Sequence, residues 1–156
     1  MKSRLFHLLL SLFVCLVSVS NISAGDVVKY NHISRPFGTC HIKYNVVQQN
    51  ESYYIVASVY SASLSFTQQS TMKIRTFDDV ILELPCHEIS TFTYNLDGVR
   101  SIAQFKVTPE QFEEIKNGIA KVCLSMTPVN HEKTFKKDKI GKKLYKFYLK
   151  IKNNNF

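Results

Sequence analysis

Between residues 39 and 107 the chain alternates apolar and polar positions with a period of two. Turn-forming residues break the pattern at short intervals, which predicts consecutive antiparallel strands. Ile42, Tyr44 and Val46 alternate with His41, Lys43 and Asn45. Tyr60, Ala62, Leu64 and Phe66 alternate with Ser61, Ser63 and Ser65, giving the clean polar side of a strand wet on one face. Met72 and Ile74 alternate with Lys73 and Arg75, and Asp78-Asp79 then turns the chain into Val80, Leu82 and Leu84. Residues 71–85 therefore read as a hairpin, with Pro85 a point where its second strand can break. A strand over 88–94, a turn at Asn95-Leu96-Asp97-Gly98 and a strand carrying Val99, Ala103, Phe105 and Val107 follow.

The period then changes. Thr108-Pro109-Glu110-Gln111 is a capping box with Pro at the first helical position. Phe112 and Ile115 form the apolar side of the helix it starts, and Asn117-Gly118 ends it. Ala120, Val122, Leu124 and Met126 alternate as a strand that stops at Pro128. The last element is a helix of about 15 residues from Asp138. At about 100° per residue, Ile140, Leu144, Phe147, Tyr148 and Ile151 fall within a sector of about 100°, opposite Lys139, Lys142, Lys143, Lys146 and Lys150. Gly141 inside such a helix costs ~1 kcal/mol relative to Ala. The whole predicts an α+β fold. An antiparallel β-meander of six to eight strands, as a curved sheet or a sandwich, combines with one short helix and a C-terminal amphipathic helix.

Three runs carry a resemblance: Val107-Thr108-Pro109-Glu110-Gln111-Phe112, Lys116-Asn117-Gly118-Ile119-Ala120-Lys121-Val122, and residues 136–145 (KKDKIGKKLY). Over roughly these 50 residues the chain resembles the C-terminal half of small secreted proteins from Bacteroidota. Proteins of that look tend to carry Arg where this chain has Cys123. The resemblance implies an envelope location in a Gram-negative bacterium, and implies no reaction, cofactor or ligand.

The N-terminal segment changes the reading of the rest. Lys2 and Arg4 precede an apolar run from Leu5 to Val19, shorter than the ~20 residues that span a bilayer. Small residues then permit cleavage after Ser20 or Ala24, so residues 1–24 read as a signal peptide and 25–156 as a single β-rich domain. An uncleaved anchor is the competing reading. Acylation at Cys15 is disfavoured by bulky Val14 before it. The expectation is a secreted or periplasmic protein whose mature chain has no transmembrane span. At 156 residues, 45% hydrophobic and 21% charged, the chain suits one globular domain and is too short for a TIM barrel. Five glycines and no Gly-rich loop argue against phosphate-loop and dinucleotide folds.

Charge is distributed unevenly. The chain carries 20 Lys+Arg and 12 Asp+Glu. Nine lysines and a single acid, Asp138, lie between Lys133 and Lys152, whereas Asn21–Glu132 holds nine basic and eleven acidic residues. A near-neutral body with a basic end points to a partner surface. Lys139, Lys142, Lys143, Lys146 and Lys150 are the candidates for contact with an anionic surface or an envelope protein. Nucleic acid is disfavoured by export and by the lack of a base-stacking motif.

Three cysteines follow the leader. In an exported chain that count allows one bridge and one free thiol; matching parity selects Cys40 and Cys86, leaving Cys123 free. Cys40-His41 and Cys86-His87-Glu88 hold good metal-ligand types, but neighbours on a strand point to opposite faces and no Cys-x-x-Cys occurs, so neither metal nor cofactor is expected. Asp78-Asp79 fits a turn, Glu113-Glu114 a wet helix face, and Asn50-Glu51-Ser52 a sequon of meaning only in a eukaryote. The leading expectation is an exported, non-enzymatic binding or structural module of the cell envelope. The alternative is a small thiol-dependent hydrolase built on a Cys–His pair, with Cys86 beside His87 or His131.

Overall fold

The computed structural model describes residues 28–34, 38–94 and 98–153, with side chains over 42–91 and 100–153. The leader expected over 1–24, with Cys15 and both cleavage points, lies outside the described residues, as does the side chain of Cys40. Eight strands, β1 (Val28–Ser34), β2 (Gly38–Gln49), β3 (Ser52–Ser61), β4 (Thr71–Thr76), β5 (Ile81–Tyr94), β6 (Gly98–Val107), β7 (Ile119–Leu124) and β8 (His131–Thr134), form one curled antiparallel sheet. Helices α1 (Pro109–Ile115) and α2 (Gly141–Asn153) complete the α+β fold.

The strand order is β1-β2-β3-β6-β5-β4-β7-β8, so the sheet is not a simple meander. After β3 the chain skips two positions to form β4, and β5 and β6 return to fill them. The crossing segment, residues 62–70, is where the alternation from Tyr60 to Phe66 misleads. Ser61 Oγ accepts the N–H of Ser63 and of Leu64, both at 3.2 Å, which bends the chain out of the strand. Leu64 and Phe66 then enter the core while Ala62 is exposed. Ser101 Oγ, fully buried in β6, takes the Phe66 N–H at 3.0 Å, and Ser70 Oγ takes that of Thr67 at 2.9 Å. A buried crossing needs partners for its amides, and these hydroxyls supply them.

Strand β5 joins the two halves of the sheet. Ile81–Pro85 pairs with β4, and from Cys86 onward the strand pairs with β6, with a register shift between Cys86 and Glu88. Pro85 does not end the strand. It sits where the ladder to β6 has yet to begin, so its missing N–H leaves no β6 carbonyl unpaired.

The helices cover the apolar face of the sheet. Thr108 and Gln111 form the reciprocal capping box of α1, with bonds of 3.2 and 2.9 Å. Phe112 and Ile115 are fully buried. Ile140, Leu144, Tyr148 and Ile151 are at most 3% exposed, and Phe147 flanks the stripe half-buried. Each fully buried aliphatic side chain contributes ~1.5–3 kcal/mol. Tyr148 stacks on Phe112 at 4.3 Å with planes 4° apart, and Tyr53 of β3 meets it edge-on at 5.0 Å. The Tyr145 hydroxyl donates to Glu113 at 2.8 Å, a second tie between the helices.

The helix begins at Gly141 rather than at Asp138, because Asp138 caps it. Its Oδ1 accepts the Gly141 N–H at 2.8 Å and its Oδ2 that of Lys142 at 2.9 Å. Oδ1 also accepts the Ile119 N–H at 3.0 Å, joining the start of α2 to the start of β7. Burial pushes the Asp138 carboxyl up, but the backbone donors of Ile119, Lys142, Gly141 and Ile140 outweigh it and hold the group below the ordinary carboxylate range. Lys139 accordingly lies in the turn before α2, not on the helix.

Gly141 is therefore a packing requirement. A Cβ there would lie 2.7 Å from the Ile119 nitrogen and 2.9 Å from the Gly118 Cα, both backbone atoms that cannot swing aside. Gly118 itself has φ +97°, the left-handed conformation that ends α1. Helix propensity alone would have Gly141→Ala stabilise by ~1 kcal/mol. The close approach predicts the opposite sign: Gly141→Ala lowers stability by about 2 kcal/mol, as for an overpacked core site. Equilibrium urea unfolding measures it, and a stabilised variant would contradict the contact.

Candidate functional site

Docking of α2 fixes the direction of its other face. Lys142, Lys143, Lys146 and Lys150 are exposed on the helix, and Lys139 is exposed in the turn before it. The sheet and α1 carry four ion pairs: Lys73 pairs with Glu83 at 3.2 Å, Arg75 with Asp79 at 3.6 Å, Lys116 with Glu113 at 2.9 Å and Lys121 with Glu132 at 2.8 Å. Among the described residues none of those five lysines has a carboxylate partner within 4.0 Å. The charge asymmetry of the sequence is thus a spatial asymmetry, with five lysines that lack a carboxylate partner gathered on and just before one helix.

The expected Cys40–Cys86 disulfide is not formed, because Cys86 is a free thiol. Strands β3 and β6 lie between β2 and β5, so three strand spacings place the two about 14 Å apart across the sheet, against a Cα limit of ~7 Å. Register separates them further: Cys86 lines up through Phe105 and Ile55 with Val46, not with Cys40. Parity carries no strand order.

The structure does not assemble a Cys–His pair at either described thiol. Cys86 Sγ donates to the Glu88 carbonyl at 3.4 Å, while the exposed His87 ring stacks on Tyr54 at 5.0 Å. His131 is buried and pairs in register with Leu124, on the face opposite Cys123. Burial raises the Cys86 thiol, and burial with the nearby Glu132 carboxylate raises that of Cys123. An activated thiol needs the reverse environment. Among the described residues no three His, Cys, Asp or Glu side chains gather as a metal site would require. No helix among them is long and apolar enough to cross a membrane.

A feature with no counterpart in the sequence reading lies on the outer face of β5, β4, β7 and β8. Cross-strand register builds two rows of side chains, Glu83–Lys73–Cys123–Glu132 and Ile81–Arg75–Lys121–Thr134. Between them is an open cavity of about 450 Å³, lined by Lys73, Arg75, Ile81, Lys121, Cys123, Glu132 and Thr134. The Cys123 thiol is hydrogen-bonded to Glu132, whose carboxyl is held below its ordinary range first by the bond from Lys121. Alternation marks each of these residues as outward-facing, but only strand order brings four strands' worth of them together.

Compared with protein-family models, curated proteins and solved structures, the chain matches none.

The raised thiols give a direct expectation. With the folded protein at pH 7, Cys86 and Cys123 react with iodoacetamide several-fold more slowly than free cysteine, and both accelerate as pH rises past 9. Rapid alkylation of either at pH 7, read by mass spectrometry, would instead reveal a lowered thiol pKa and revive the hydrolase reading.

Proposed function

We propose that the protein is an exported, non-enzymatic binding module of the cell envelope, and that it meets an anionic surface through the lysine face of α2. The observation that carries this reading is the cluster of outward-pointing lysines at 139, 142, 143, 146 and 150, none of which has a carboxylate partner among the described residues. Between Gly141 and Asn153 the helix holds lysines and no acidic residue. The leader-like segment over 1–24 and the resemblance to secreted Bacteroidota proteins support the location. With the apolar stripe of α2 used in the core, adsorption is electrostatic and does not involve insertion.

Near an anionic lipid surface each lysine contributes about 1 kcal/mol, and the attraction fades within a Debye length of ~10 Å at 0.1 M salt. The protein is therefore expected to sediment with phosphatidylglycerol-containing vesicles at low salt, and not with phosphatidylcholine alone or at 0.5 M salt. Replacing Lys142, Lys143, Lys146 and Lys150 by Gln removes sedimentation and leaves the melting temperature within a few degrees of the parent. If the parent fails to sediment at low salt, or the quadruple variant still binds, the lysine face is a solvated surface only.

A further inference from the structure

We propose that the cavity on the outer face of β4, β7 and β8 is a binding site for a small monocarboxylate with an apolar body. This goes beyond the surface reading and does not rest on it, since the cavity lies on the sheet face opposite the one the helices cover.

The charge arrangement selects a single negative charge. Lys121 is held by Glu132 at 2.8 Å and Lys73 by Glu83 at 3.2 Å, so both cations are already neutralised within hydrogen-bonding distance. Arg75 differs. Its one ion pair among the described residues, to Asp79, spans 3.6 Å, beyond hydrogen-bonding reach, and the Asp79 side chain is 84% exposed. The guanidinium is therefore the cation of the cavity with donors to give, and its planar fork matches a carboxylate in two-point contact. Glu132 is in turn neutralised by Lys121, so one cation is left over and a single negative charge matches it.

The apolar part of the ligand is selected by Ile81. It is 70% exposed and stands opposite Arg75 in the register between β4 and β5. The half-buried Cys123 and the aliphatic stems of Lys73 and Lys121 continue that surface across the floor. A volume of about 450 Å³ lies within the range of small-molecule sites and holds a medium-length acyl chain or an arylcarboxylate.

Cys123 on the cavity floor supplies a built-in reporter, with Cys86 on β5, outside the cavity lining, as internal reference. The experiment measures iodoacetamide alkylation of both thiols at pH 9 in the folded protein, with octanoate as probe and octanol as its uncharged counterpart. Octanoate is expected to slow Cys123 at least fivefold, to leave Cys86 unchanged, and to act at concentrations where octanol does not. Calorimetric titration of Arg75→Gln should show octanoate affinity reduced about tenfold or more, the loss expected when a charge-assisted pair is removed. Failure to protect Cys123, equal protection by octanol, or equal slowing of Cys86 would each overturn the proposal. The protection measurement uses the unmodified protein, so a poorly folded variant cannot obscure the outcome, and a lost vesicle interaction would not affect it.

Discussion

A three-way contact at the start of α2 organises the molecule. Asp138 binds the amide of Ile119 as well as those of Gly141 and Lys142, and two glycines let the backbones of the α1–β7 turn and α2 touch. One carboxylate thus caps a helix and pins it to a strand. From that anchor the direction of α2 is set, its stripe falls on the Phe112–Tyr53 aromatic group, and the apolar face of the sheet is closed. Isolated helices of this length are marginal in water, so α2 depends on the docking as much as the sheet depends on being covered.

The same contact determines what the surface presents. Turning the stripe inward sends the lysines outward, and nothing on the body reaches round to pair with them. The sheet's own outer face follows a different rule. There, opposite charges meet across strands, and the cavity arises where Arg75 and Ile81 stand between such pairs without being absorbed by them. The two surfaces offer different chemistry: long-range attraction from unpaired lysines, and a short-range pocket whose one loosely held cation adjoins an apolar wall.

Local periodicity carried much of the fold. The alternation through Ile42, Tyr44 and Val46, the capping box at Thr108 and the stripe from Ile140 to Ile151 each follow from spacing alone, because burial repeats with the element's own period. What spacing could not reveal depends on residues far apart in the chain. Ser61 reads as part of a wet strand face, yet it is buried and, with Ser101, accepts backbone amides of a crossing segment, a role set by a strand order that alternation does not encode. Gly141 read as a defect in a helix because its neighbours, Gly118 and Ile119, belong to another turn. Cys40 and Cys86 share a parity in the sequence yet lie on strands three spacings apart, and the outer-face cavity is assembled only once β5, β4, β7 and β8 are placed side by side.

The central claim is that α2 is part of the cooperative core rather than an appendage that comes and goes. Native-state amide hydrogen exchange tests this without altering the sequence. If the claim holds, the amides of Leu144, Tyr148 and Ile151 exchange only through near-global opening, with protection close to that of Ile55 and Phe105 in the central strands. If those helical amides exchange orders of magnitude faster than the strands, α2 opens on its own. Its apolar stripe would then be available to a membrane or a partner, and the account of a sealed core with a fixed lysine face would be wrong.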